Sequence, residues 1–303
     1  MKRKSTHFLT FLLFTGIVSP CLAQKQVLVC GDSKVLLVNE ATTANDTIPV
    51  ITWQWDAYKA TDLPDTFRLK LFRTIDDCKS VNSGREILVS SSSGAIAWID
   101  IATKKVLFYA EVPMAHSIEM LPGDRIVAAA STAAGGNRIM LFDTAKGNLP
   151  VYEDSLYSGH GVVWDGSRKS LFALGYDVLR EYKLANWTTD HPGLELVQHW
   201  TLPGIGGHDL QLHPHGSALL VTETQGSWLF NLAKYNFEKE DGMPDGHHVK
   251  SLNIDHEGQY LYTQTEESWW TFHIRFANPS RVLAFPGMHV YKARWVNKEL
   301  FTF

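Results

Sequence analysis

The feature that most constrains this chain is an internal repeat. Short apolar runs, separated by turns of Gly, Asn, Asp and Ser, recur about every forty residues. Arg85 to Val89, Ala95 to Asp100 and Val106 to Ala110 read as three strands joined by tight turns. The phrase returns at Arg125 to Ala128 with Arg138 to Asp143, and at Ser170 to Leu174 with Val178 to Tyr182. Later copies are Ala218 to Thr222 with Ser227 to Phe230, and Gln259 to Thr263 with Trp269 to Phe272. No long stretch of helical periodicity interrupts them. A unit of this size cannot bury its own faces, so copies must pack on one another. The expected fold is all-β, a β-propeller of six four-stranded blades.

The strand before each phrase is the innermost one of a blade. Aligned on the apolar strand that follows, Lys79, His116, His160, His208, Lys250 and Lys292 fall at one position, with steps of 37, 44, 48, 42 and 42 residues. His160, His208 and Lys250 match without gaps, each eleven residues before Leu171, Leu219 and Leu261. His116 needs a one-residue deletion and Lys79 a two-residue deletion. Lys79-Ser80-Val81-Asn82 nevertheless resembles Lys250-Ser251-Leu252-Asn253.

Closure decides the blade count. The first strands, Val27 to Cys30, Lys34 to Val38 and Val50 to Trp55, have no inner strand of their own, and Tyr291 to Val296 can supply it. This pairs the N- and C-terminal strands in one blade. Glu299 to Phe303 competes for a place in the same blade, which leaves five or seven blades as alternatives.

Residues at one inner-strand position make a circle around the channel. Three lysines then face three histidines. Buried ammonium groups need carboxylates or an anionic ligand beside them. Asp77, Asp209 and Glu119 are candidates for the first role. Lys79, Lys250, Lys292, His248 and Arg294, with Asp77, are the candidate ligand-binding residues. His116, His160 and His208 are the candidate catalytic group, as acid or base near neutral pH. Three other readings of them stay open: ligands to one Mn²⁺ or Zn²⁺, hydrogen bonding without chemistry, and a brace like the Gly-His of WD repeats. The last lacks its Trp-Asp partner, since Ile99-Asp100, Phe142-Asp143 and Phe230-Asn231 end the third strands.

Residues 1–23 read as a secretion signal. Lys2, Arg3 and Lys4 precede an apolar run from Phe8 to Val18, and Cys21-Leu22-Ala23 forms a small-residue cleavage site before Gln24. The run is too short to span a bilayer. Cys21 is also a conceivable lipidation site, although Pro20 precedes it. Residues 24–303 are then a single propeller domain, secreted or periplasmic. Its net charge falls from -4 to -7 once three basic and no acidic residues are removed. No Lys/Arg block remains, which argues against nucleic acid or an anionic membrane as partner. Cys30 and Cys78 are either a disulfide or two separate buried thiols. Asn45-Asp46-Thr47 and Asn186-Trp187-Thr188 match the glycosylation acceptor pattern.

Several segments carry a resemblance: Leu22-Ala23-Gln24, Cys78-Lys79-Ser80, Ala115-His116-Ser117, Gly159-His160-Gly161, Gly207-His208-Asp209, His248-Val249-Lys250-Ser251 and Lys292-Ala293-Arg294-Trp295. Through them the mature chain resembles an uncharacterised family of secreted six-bladed propellers from polysaccharide-degrading gut bacteria. More loosely it is similar to propeller lyases and glycosidases acting on uronic-acid sugars. One of these, the oligogalacturonate lyase type, holds a metal with axial histidines; this chain departs from it in blade count and in its lysines. The resemblance implies an acidic oligosaccharide as ligand. Elimination from a uronate needs a cation on the carboxylate, a base for the C5 proton and an acid for the leaving oxygen. Hydrolysis needs two carboxylates across the bond, and the aligned inner strands repeat none. The alternative is a propeller that binds an anionic glycan or a protein without turnover.

Overall fold

The computed structural model describes residues 25–40 and 47–296. The expected secretion signal, Cys21, Asn45-Asp46 and the segment Glu299 to Phe303 lie outside the described residues. Among those described, 24 strands, numbered in chain order, form six antiparallel sheets of four. This is the six-bladed propeller that the repeat implies. No described helix is long and apolar enough to cross a membrane.

The second strand of each blade is enclosed on both faces, which explains its unbroken apolar run. In Arg125–Ala130 every residue after the arginine is buried, as is all of Ser170–Leu174. Apolar clusters form between blades. Leu28, Val35 and Trp55 pack with Cys78, Ile87 and Ala97, while Leu121, Val127 and Ile139 pack with Val162, Leu171 and Tyr182. A blade therefore depends on its neighbours for most of its burial. Short helical turns at Ala57–Lys59 and Phe67–Leu71 depart from the all-strand expectation. Phe67 and the adjoining Phe72 fill the space under Trp55.

One blade closes the ring as expected. Its inner strand β24 (Val290–Trp295) pairs antiparallel with β1 (Gln26–Gly31), Val27 opposite Trp295 and Cys30 opposite Lys292. Two further strands, β2 (Lys34–Asn39) and β3 (Ile51–Asp56), complete it. Gly31 is needed at this junction because a Cβ there would lie 1.9 Å from the His289 carbonyl oxygen. Cys30 and Cys78 come together across the closing and first blades, and both thiols are free and buried. Cys30 Sγ donates to the Lys292 carbonyl at 3.5 Å.

The other inner strands, from the first blade to the fifth, are β4 (Ile75–Val81), β8 (Ala115–Leu121), β12 (Gly161–Asp165), β16 (Asp209–Leu212) and β20 (Val249–Ile254). Four inner strands carry an extra residue near their N-terminal end. The ladder slips between Ile75 and Asp77, Ala115 and Ser117, and Val249 and Ser251, and again opposite Cys30 and Gly31. The residues left over are Asp76, His116, Lys250 and Tyr291. Bulges of this kind redirect a side chain without adding a ladder bond.

Candidate functional site

Once the bulges are counted, the inner strands present three levels of residues to the axis. At the mouth stand Asp76, His116, His160, His208, Lys250 and Tyr291. Asp77, Ser117, Gly161, Asp209, Ser251 and Lys292 follow. Two residues further come Lys79, Glu119, Val163, Gln211, Asn253 and Arg294. Cross-blade bonds fix this registration. Ser117 Oγ accepts from Val162 N at 3.2 Å, Asp209 Oδ2 from Leu252 N at 3.0 Å, and Ser251 Oγ from Ala293 N at 3.2 Å.

The single ring of three histidines and three lysines is therefore corrected. The three histidines and Lys250 share the mouth. Lys292 stands one residue deeper and Lys79 three, because Tyr291 and Asp76 are the bulge residues of their strands. Ser117, Asp209 and Ser251 show the true alignment by their repeated bond to the next blade.

The mouth is a row of contacts. Ring centroids lie 6.0 Å apart for Tyr291 and His116, 4.3 Å for His116 and His160, and 6.0 Å for His160 and His208. Lys250 Nζ sits 3.0 Å from His208 Nε2 and 3.3 Å from its Nδ1. His248 is exposed on the rim, 6.0 Å from His208. Gly207 precedes His208 where a Cβ would lie 2.4 Å from the Gly175 carbonyl oxygen, so this close approach positions the imidazole.

Burial and positive neighbours keep these imidazoles neutral. Burial, assisted by Lys292 and Lys250, pushes His116 down to about 4. Burial and then Lys250 push His208 down to about 2, and burial with His116 holds His160 well below its ordinary value. His116 Nδ1 lies 3.0 Å from the Met114 carbonyl and His160 Nδ1 2.9 Å from the Ser158 carbonyl. A carbonyl can only accept, so Nδ1 carries the proton in both rings and Nε2 is a free base. Burial, then Lys292, lowers Lys250 to about 8. Burial raises Asp76 to about 7 and, with Asp76 adding to it, keeps Tyr291 protonated well above the ordinary phenol range.

The deeper levels are paired. Arg294 holds Asp209 through two bonds of 2.6 Å and reaches Asp77 at 2.8 Å. Lys292 lies 3.1 Å from Asp209, and Lys79 3.1 Å from Glu119. Burial opposes ionisation of Asp209 and Asp77, but Arg294 and Lys292 overcome it and hold both carboxyls below the usual range. Lys250 differs. Among the described residues no carboxylate lies within salt-bridge distance of it.

The donor set does not fit a metal. Both nitrogens of His208 face the Lys250 ammonium, and among the described residues no three His, Cys, Asp or Glu side chains converge on one point.

A family model covers residues 21–303, nearly the whole chain. The chain belongs to DUF6528, a family of unknown function. No curated protein sequence matches this DUF6528 member. Among solved structures it is similar to the hydrazine synthase of Kuenenia stuttgartiensis, at 11% identity and a TM-score of 0.48. That match covers 69% of this chain and 64% of the other.

Two features of this DUF6528 protein's mouth could not be placed from the sequence. Asp76 is one, although the apolar residue before each bulge, in Ile75-Asp76, Ala115-His116, Val249-Lys250 and Val290-Tyr291, marks the position. The aromatic rim is the other. Tyr157 and Tyr176 pack at 5.5 Å, and the Tyr176 carbonyl accepts from Gly206 N and Gly207 N beside His208. Trp269 and Trp270 pack at 4.9 Å, and Thr271 pairs with Val290 beside Tyr291. Tyr157 is 60% and Trp269 56% exposed, so both have a face free for a ligand.

Proposed function

We propose that this DUF6528 propeller acts on acidic, uronate-containing oligosaccharides at its histidine mouth, by β-elimination. The observation that carries the reading is Lys250, a buried ammonium without a carboxylate partner, set against histidines held neutral. An anion from outside would complete this ion pair as Asp209 completes that of Lys292. The aromatic rim supports a sugar, whose apolar ring faces stack on such side chains.

In this scheme Lys250 holds the uronate carboxylate. His116 or His160 takes the C5 proton at Nε2, the electron pair forms the C4–C5 double bond, and the C4–O bond breaks. Tyr291, 6.0 Å from His116, gives its proton to the leaving oxygen. The imidazolium then returns a proton to the phenolate. With the secretion signal read at residues 1–23, the reaction belongs to a secreted or periplasmic protein.

The test is incubation with a panel of acidic oligosaccharides. Ultraviolet absorbance from an unsaturated uronate is expected, with kcat/KM lowered at least about 30-fold in Lys250→Ala, because truncating one partner of a buried charge pair costs about 2–5 kcal/mol. Binding without new absorbance or reducing ends across the panel would replace this reading with capture of an anionic glycan. No binding at all would end both.

A further inference from the structure

The other end of the channel opens into a cavity of about 1230 Å³ whose floor is the third level of inner-strand residues. The paired Asp77, Asp209, Lys292 and Arg294, all at most 2% exposed, separate it from the histidine mouth. We propose that this funnel is a second binding site, for an uncharged sugar. The inference does not depend on the chemistry at the mouth.

Charge is the first observation. Every cation on the floor is already satisfied: Lys79 by Glu119 at 3.1 Å and the Val162 carbonyl at 2.5 Å, Arg294 by Asp77 and Asp209. On the wall, Arg168 is bonded to Asp165 at 2.8 Å and to the Gly216 carbonyl at 2.7 Å. Lys169, also on the lining, has no ion-pair partner among the described residues but stands exposed, where solvent screens it, so the enclosed part of the funnel lacks the unmatched buried charge that would select an ion.

Hydrogen bonding is the second. Gln211 Nε2 donates to the Leu210 carbonyl at 2.7 Å and Asn253 Nδ2 to the Ala293 carbonyl at 3.0 Å. Each bond anchors an amide by its NH₂ end. Neither amide oxygen accepts from any described residue, and both side chains line the cavity. The Trp164 indole N–H, also on the lining, donates to no described residue. Two acceptors and one donor thus await a partner, beside apolar walls that include Trp164, Trp295, Leu212 and Ile254. A molecule matching this carries several hydroxyls around an apolar C–H face and no charge. A pyranose has that chemistry, and the volume admits an oligosaccharide segment.

The experiment is calorimetric titration of the intact protein with neutral gluco-, manno- and xylo-oligosaccharides, followed in parallel by tryptophan fluorescence. At least one series is expected to bind and to change the fluorescence. Gln211→Leu, which keeps the volume and loses the acceptor, is expected to weaken that binding about tenfold. Trp164→Phe, which keeps an aromatic plane and loses the donor, should weaken it and remove most of the fluorescence response. Both variants are checked by thermal melting. Lys250→Ala should leave neutral binding unchanged while acidic-sugar activity falls, whereas an unmodified protein inactive on every acidic sugar would fault the mouth and leave the funnel standing. Silence across all three neutral series, full affinity in Gln211→Leu, or loss of neutral binding in Lys250→Ala would each overturn the proposal.

Discussion

Lys250 and Lys292 stand on adjacent inner strands, one level apart, and live in different electrostatic worlds. Lys292 is fully buried and has Asp209 at 3.1 Å. Lys250 is nearly as buried but has His208 in that place, and burial lowers it to about 8. The deep level is self-sufficient and the mouth is not. What separates a structural from a functional cation here is its partner, since depth alone would put both in the same class.

The contrast can be broken most severely from the deep side. Arg294→Met leaves Asp77 and Asp209 short of their shared guanidinium, and should cost about 3–5 kcal/mol, a fall in melting temperature on the order of 10 °C. A change under 1 kcal/mol in chemical denaturation would show that the deep pairs are not interdependent. At the mouth, Tyr291→Phe should lower kcat for elimination by about 100-fold with KM little changed. Steady-state kinetics checks this, and equal losses in kcat and affinity would make Tyr291 a binding group.

A smaller effect of opposite sign is expected from Lys250→Met. Removing an unmatched buried ammonium should raise stability by about 1–3 kcal/mol at pH 7, whereas any loss would reveal a partner for it.

The gentlest probe is pH. The mouth histidines protonate near 6.5 when unfolded but resist it when folded, His116 until about 4. The unfolded state therefore binds more protons in that window, and their contribution to stability falls as pH drops through it. Asp76, raised to about 7, opposes this with a contribution lost as pH rises from 3.8 toward 7. Lys250 adds stability as pH rises from about 8 to 10.5, while its hold on an anion weakens. Anion affinity should thus be flat from about 4 to 6, then fall as Asp76 ionises near 7 and Lys250 loses its proton near 8. A fall near pH 6 that persists in Asp76→Asn would show that a protonated histidine is needed.

The propeller was legible because blade packing demands the same apolar strands in every copy. Gly159-His160 and Gly207-His208 aligned with Lys250 through anchors that are one rung apart, since Leu261 pairs with Asn253 while Leu171 and Leu219 pair with Trp164 and Leu212, and a hairpin one residue shorter after Asn253 hid the offset. Lys79 misled. Lys79-Ser80-Val81-Asn82 copies the letters of Lys250-Ser251-Leu252-Asn253, but Lys79 pairs with Leu88 as Asn253 pairs with Leu261. Apolar spacing reports the ladder, and a bulge residue lies outside the ladder. The partner of each cation was illegible for a related reason. Arg294 meets Asp77 and Asp209 from strands 217 and 85 residues away, and only the closed ring brings them together.

The bulges also bear on how such a molecule changes over time. A side chain at a slipped position contributes no rung to its sheet, so exchanging Asp76, His116, Lys250 or Tyr291 for another residue leaves the blade's own pairing intact. Chemistry at the mouth is thereby uncoupled from foldability. A gene encoding this scaffold can explore new ligands one blade at a time, and the same four positions are where a designer would begin.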